Sequence, residues 1–382
     1  MRLDSRSRHR LLFVVTEDWY FCSHRLAQAR AALAQGYEVS VATRVDRHRQ
    51  VMRDAGIRLI ALRRLRRRSA NPWREWLSLW ELWGILRRER PDIVHLVALK
   101  PVIYGGIAAR LTGIRVVAAI AGLGHLFAAR DAGARCLGAL ALRLFRLALG
   151  AAGTRVIVQN PEDREALTRA GVVSEEQCRL IRGAGVDLEV FVPRREPAGP
   201  VTVMLASRLL WTKGVGEFVE AARILAGRGS ACRFVLVGIP DPENPARVPE
   251  DALTGWVEQG LVEWWGHRDD MPDVLGQAHI GCLPSYREGL PKALLEAAAC
   301  ARPLVASDAP GCREICVHEE TGLLVPPRDP VALAGAIERL AADPDLRRRL
   351  GRAARERVER EFSIARVAGE TLALYDEVLQ RG

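Results

Sequence analysis

Lysine is nearly missing from this chain. Of 56 basic residues among 382, only Lys100, Lys213 and Lys292 are lysines. A bias toward arginine codons explains that background. It also makes each surviving lysine worth following, because an ammonium is a compact point charge rather than a planar fork. Long apolar runs are missing too. No 18 consecutive apolar residues occur, so no segment reads as a membrane-crossing helix. The nearest stretch, 136–153, contains Arg143 and Arg146 and reads as a buried or surface-docked helix. The polar start MRLDSRSRHR leads straight into a strand-like run, without a signal-peptide pattern. The eight cysteines contain no Cys-x-x-Cys pair. They read as small buried hydrophobes in a reducing compartment, not as a disulfide or zinc scaffold. The sole Asp-x-Asp string, Asp343-Pro344-Asp345, lies between two helical patterns. There it reads as a cap and stop signal rather than a metal site.

What is present is ordinary globular composition, 49% hydrophobic and 27% charged, which excludes a disordered or collagen-like chain. The length suggests two or three domains. Charge divides the chain: residues 1–200 carry 34 Lys+Arg against 19 Asp+Glu, and residues 201–382 carry 22 against 27. A basic half suits anionic lipid, phosphorylated substrates or nucleic acid.

Strand-like and helix-like runs alternate. In the first half the strands are expected at 11–15, 37–43, 57–62, 92–97, 116–121 and 155–160. Helices are expected from His24 to Gln35 and near 73–88, 102–112 and 131–150. The proline-rich stretch 193–200, PRREPAGP, reads as a linker. A second series follows, with strands at 201–207, 232–238, 261–266, 280–285, 303–307 and 322–327. Continuous apolar strands alternating with helices imply two doubly wound parallel α/β domains, each Rossmann-like, with ligands beyond the carboxyl ends of the strands and a cleft between the domains. The expected division is 1–192, a linker 193–200, a second domain 201–361, and a final helix 362–382 that packs back on the first domain.

The most informative stretch is PSYREGLPKALLEA, residues 284–297. Glu288 stands in a loop after a strand, and Pro291 suits the first turn of a helix. Glu296 then falls in the second turn. The free N–H groups around 289–293 would form an anion-binding helix mouth, lined by Gly289, Leu290, Pro291 and Lys292. Carboxylates accept hydrogen bonds from ribose and hexose hydroxyls. A second element, SRLLWTKG, places Arg208 at a strand end and Lys213 at the next helix, and two cations there suit a diphosphate.

SRLLWTKG, EGLPKALLEA, APGCREI and TGLLVPPRDP together resemble the retaining family-4 glycosyltransferases of the GT-B fold, over nearly the whole chain. The resemblance implies that Arg208 and Lys213 hold the donor diphosphate, Glu288 and the amides after it the donor sugar, and Glu296 the ribose. It implies a nucleotide-sugar donor, with uridine favoured as base; with two cations at the diphosphate and no credible Asp-x-Asp site, no metal or other cofactor is expected. DIVHLVALKPVIYGGIAARLTGIRVVAAIAGLG resembles the bacterial subgroup that builds capsule, O-antigen and lipid-linked oligosaccharides, a likeness carried by Lys100, Gly122 and Gly124. It implies a polyprenyl-diphosphate-linked saccharide acceptor. Many members carry a histidine where this chain has Ala121, and His125 is the candidate replacement.

Residues 63–90 hold Trp73, Trp76, Trp80 and Trp83 at three- and four-residue spacing, flanked by arginines. That pattern reads as an interfacial helix at an anionic membrane surface, or as a domain-packing helix beside a solvated basic loop. It points to a cytoplasmic protein peripheral on the inner face of the cell membrane. No nucleic-acid motif accompanies the basic patch. The competing functions are a UDP-sugar epimerase or hydrolase of the same fold and a non-catalytic scaffold.

Overall fold

The computed structural model describes residues 9–68, 71–120 and 132–380. The chain divides into two compact units, one reaching to Ala184 and resuming at Ile364, the other Gly185–Ser363.

The first unit alternates strand and helix from its start. In chain order it holds β1 (Arg10–Glu17), α1 (Asp18–His24), α2 (Leu26–Ala34), β2 (Glu38–Arg44), α3 (Arg49–Asp54), β3 (Arg58–Ala61) and α4 (Pro72–Glu89). There follow β4 (Ile93–Val97), a wide turn Pro101–Gly105 leading into α5 (Gly106–Thr112), β5 (Arg115–Ile120), α6 (Ala132–Leu149), β6 (Thr154–Val158), α7 (Pro161–Arg169) and β7 (Cys178–Leu180). The strands pair in parallel in the order β3-β2-β1-β4-β5-β6-β7. The order reverses between β1 and β4, the switch point of a doubly wound sheet. Both faces are covered, so every residue of β4 and β6 is buried.

The second unit repeats the plan with β8 (Thr202–Ala206), α8 (Val215–Gly227), β9 (Arg233–Val237), α9 (Glu250–Glu258), β10 (Glu263–Trp264), α10 (Met271–Gly276) and β11 (Ile280–Leu283). It continues with α11 (Lys292–Ala299), β12 (Leu304–Ser307), β13 (Gly322–Val325), α12 (Pro330–Ala342) and α13 (Pro344–Glu361). Its parallel order is β10-β9-β8-β11-β12-β13. Asp343 caps α13 by accepting the Leu346 amide at 2.9 Å, the helix-start role that an Asp-Pro pair suits.

The last helix, α14 (Ile364–Gln380), belongs to the first unit. Its apolar stripe, Val367, Leu374 and Val378 among others, joins the core that α2 also covers. Polar ties fix it: Tyr375 to His95 at 2.5 Å, Tyr37 to Asp376 at 3.0 Å, and Arg155 with Arg179 on Glu377 at 3.0 and 2.8 Å.

Several details depart from the sequence reading. The expected helix from His24 to Gln35 is α2 alone, and α1 is an additional helix before it, set off at Arg25, whose backbone leaves helical geometry at φ −131°. His24 therefore closes α1 instead of opening a helix, and its ring stacks on Tyr20 at 4.1 Å. Residues 193–200 are not a free linker. Glu196 takes both arms of Arg347, at 3.0 and 3.1 Å, and Arg194 pairs with Asp273 at 2.7 Å. These ion pairs hold the stretch against the second unit, and the boundary falls at 184/185. Five short helices (α1, α3, α7, α9, α10) and the three-residue strand β7 lie outside the expected pattern.

Candidate functional site

The candidate residues of the second unit gather where β8, β11 and β12 end, at adjacent strands of one sheet. After β8 the chain runs through Ser207 and Arg208, then makes a tight turn at Trp211–Lys213. Lys213 closes this turn, and α8 starts only at Val215. The sequence reading had placed Lys213 at the helix start. Gly214 separates the two with φ +74°, and a Cβ there would meet the Pro284 carbonyl at 2.1 Å. Glycine is needed on both counts: the left-handed backbone and the close approach of a second loop.

That second loop follows β11 and is sewn to the first. The Tyr286 amide donates to Thr212 O at 3.0 Å. Ser285 Oγ lies 3.1 Å from Thr212 O and 2.6 Å from Glu288 Oε1. Lys213 Nζ donates to the same Glu288 oxygen, a charge-assisted bond between largely buried side chains. A third loop, after β12, joins them: the Glu288 amide donates to Pro310 O at 3.0 Å. Gly311, at φ +79°, leaves no room for a Cβ against the carbonyls of Glu288 and Gly289, 2.6 Å away. The sequence pattern named Lys213 and Glu288 separately. The structure makes them one ion pair held by three loops.

Pro291 is the cap residue of α11, and Lys292 its first helical residue. Leu290 packs on the core beneath. Lys292 Nζ lies 3.2 Å from Glu296 Oε1. Glu296 is buried, and that burial pushes its pKa above the ordinary glutamate value, with Lys292 opposing the shift. A buried carboxyl of this kind gains from any further donor brought to it.

Arg208 is half-exposed, and its Nη1 donates to Asp241 Oδ2 at 2.8 Å. Asp241 follows β9 and is itself nearly buried, with Oδ1 accepting the Glu243 amide at 3.2 Å. The sequence reading missed Asp241 and Ser285. The signal for Ser285 was a hydroxyl three residues before Glu288. For Asp241 it was an Asp-Pro turn at a strand end. Tyr286 was missed as well. Its hydroxyl donates to Glu217 at 2.7 Å, Arg328 lies over its ring at 4.5 Å, and its pKa is pushed up to about 12, chiefly by burial.

Lys100 lies in the first unit, where Nζ is 2.7 Å from Glu75 Oε1, and Tyr104 donates to the other oxygen of that carboxylate at 2.7 Å. Ala121, Gly122, Gly124 and His125 fall outside the described residues. Among the described residues no group of three or more His, Cys, Asp or Glu side chains is arranged to hold a metal ion. No helix among them is long and apolar enough to cross a membrane.

Three cation–carboxylate pairs, Arg208–Asp241, Lys213–Glu288 and Lys292–Glu296, gathered in a Rossmann-like unit can neutralise a diphosphate and accept hydroxyl donors. Two family models match the chain. Residues 200–343 match "Glycosyl transferases group 1", and residues 10–160 match "Glycosyl transferase 4-like". The chain belongs to this glycosyltransferase family and is a transferase of the GT-B fold class. Among its relatives is the N,N'-diacetylbacillosaminyl-diphospho-undecaprenol alpha-1,3-N-acetylgalactosaminyltransferase of Campylobacter jejuni. That protein is 30% identical over 359 residues, covering 90% of this chain and 92% of the relative. The UDP-Gal:alpha-D-GlcNAc-diphosphoundecaprenol alpha-1,3-galactosyltransferase of Escherichia coli is 26% identical, covering 82% of each chain. The fold matches sucrose-phosphate synthase of Thermosynechococcus elongatus with TM-score 0.79 at 24% identity, over 98% of this chain and 100% of that one. It also matches Anabaena HepE, solved with UDP and glucose, with TM-score 0.76 at 17% identity, over 97% and 100%.

Proposed function

We propose that this glycosyltransferase moves a hexose or N-acetylhexosamine from a nucleoside diphosphate sugar, by preference a UDP-sugar, to a polyprenyl-diphosphate-linked saccharide, with retention at the anomeric carbon. The observation that carries the donor half is the joined loop set around Lys213, Glu288 and Glu296. The acceptor half rests on the two undecaprenyl-diphosphate relatives, which this chain matches over most of its length.

In this reading Arg208 and Lys213 turn from Asp241 and Glu288 toward the donor diphosphate. Their charge matters most as the leaving group departs, where preorganised cations act without solvent reorganisation. Glu288 and the amides at Gly289 and Leu290 hold the sugar hydroxyls, with Lys292 adding positive charge at the mouth of α11. Glu296 accepts the ribose hydroxyls. The two cations take the place of a divalent ion, so we take the reaction to be metal-independent. We place the enzyme at the inner membrane face, held through residues 63–90.

The test supplies a panel of radiolabelled nucleotide sugars with membranes as acceptor source. Label in the lipid fraction supports the reading. Free labelled sugar without lipid product would mark a hydrolase, and a changed sugar on the nucleotide an epimerase. UDP binding without turnover of any donor would leave a scaffold.

A further inference from the structure

We propose that α4, α5 and α6 together form one docking face for an anionic phospholipid bilayer, wider than the tryptophan helix alone. The inference deepens the peripheral-membrane reading above and rests on it.

The three helices are neighbours on one side of the first sheet. α4 packs on α5, and α5 on α6. Their inner faces share a single core through Leu82, Ala108, Phe145 and Ala148. The α5–α6 approach is close: a Cβ at Gly106 would lie 2.8 Å from that of Ala148. Arg110 on α5 also reaches the Leu147 carbonyl of α6 at 3.3 Å.

The outward residues of these helices are the wrong ones for water. Trp73 is 71% exposed, Leu111 68% and Leu140 52%, and Trp76, Trp80 and Leu147 are each about half-exposed. Only Trp19 and Val51 add to the strongly exposed large apolar side chains of the first unit among the described residues. The four tryptophans of α4 form a ladder of edge-to-face contacts, with ring centroids 5.7, 5.5 and 4.9 Å apart. Trp83, at its inner end, is half-buried on the core and carries Arg87 over its ring at 5.1 Å. Indoles in such a ladder suit the headgroup level of a bilayer, where an apolar ring and an N–H donor are both satisfied.

Charge selects the occupant. Arg74, Arg87, Arg110, Arg143 and Arg146 are exposed on these helices. α5 and α6 contain no carboxylate. The carboxylates of α4 are engaged: Glu75 with Lys100 and Tyr104, Glu81 with the amides of Arg63, Arg64 and Leu65, and Glu89 with Arg58 and Arg88. A cationic surface studded with indole and leucine matches anionic headgroups over acyl chains. It does not match a second copy of itself, because two such faces would bring arginine against arginine.

The test is co-sedimentation of the full chain with phosphatidylcholine vesicles, with and without phosphatidylglycerol. One variant carries Trp76→Ser and Trp80→Ser. The other carries Leu111→Gln, Leu140→Gln and Leu147→Gln. Calorimetric UDP binding and a thermal melt confirm that each is folded. The expected result is binding only to the anionic vesicles, with affinity reduced by roughly tenfold or more in both variants. Loss in the tryptophan variant alone would overturn the three-helix face and leave the α4 reading standing. No binding by the wild-type chain would overturn both. A dimer in light scattering that the leucine changes dissolve, with vesicle binding unaltered, would assign the leucines to self-association and overturn the proposal.

Discussion

In the second unit the charged side chains at the strand ends face one another, Lys213 on Glu288, Lys292 on Glu296 and Arg208 on Asp241. In the first unit the comparable carboxylate turns inward to serve backbone: Asp18 is buried and accepts the amides of Asp46 and His48 at 2.7 and 3.1 Å. Its unusual residues lie instead on the outer surface of helices. On the readings proposed above, one sheet plan does two jobs. Paired charges near a low-dielectric core are poised for a small anionic ligand, whereas arginines and indoles spread over a surface suit an extended one.

The largest effect that would sharpen this contrast is on turnover. Lys213→Ala and Arg208→Ala should each lower kcat by roughly 100-fold or more at saturating donor. Lys213→Arg should restore only part of it, since a planar fork cannot replace a point charge on the Glu288 oxygen that Ser285 also meets. Near wild-type kcat in both alanine variants would remove the leaving-group role.

Next is nucleotide affinity. Glu296→Ala should cost about 1.5–3 kcal/mol of UDP binding, read by calorimetry. The same carboxyl predicts a pH dependence. Its free-state pKa is raised by burial, and ribose hydroxyls would stabilise the carboxylate and lower it. UDP binding should then release a proton, and affinity should fall as pH drops through the raised free-state value. Heats that do not vary with buffer ionisation enthalpy would contradict this.

A smaller effect probes the first unit. His95 is buried, its pKa pushed down by desolvation, and Nε2 has no partner while Nδ1 meets Tyr375. Tyr375→Phe should destabilise this unit by about 1–3 kcal/mol, visible as a lower melting transition with UDP binding retained. Because the folded state disfavours the imidazolium, the unit should also lose stability as pH falls below the ordinary histidine value. The smallest expected effect is none: EDTA should leave transfer unchanged, and activity lost in EDTA and restored by magnesium or manganese would overturn the metal-independent reading.

The parallel αβ plan and the positions of Glu288 and Glu296 were legible because each depends on local signals. Apolar runs mark buried strands, and a proline marks the start of α11. What was not legible depends on contacts far apart in sequence. Asp241 meets Arg208 across 33 residues, and Ser285 meets Thr212 across 73. α1, only seven residues over Asp18–His24, is too short for a helical period to stand out. The 193–200 stretch carries linker-like prolines, yet Glu196 finds Arg347 across 151 residues. Composition reports what a segment is made of, and its docking depends on partners that composition does not name.

That α14 completes the first unit has a consequence for synthesis on the ribosome. Phe13, Val41, Ile93 and Val117 reach their buried setting in the core that α14 shares, yet residues 185–363 are made in between. The second unit can close on itself as it emerges, while one flank of the earlier sheet stays open to water and chaperones until the final helix arrives. Order of assembly is therefore opposite to order of translation. A stop codon or bulky fusion near residue 364 should harm the oldest part of the nascent chain more than the part just made.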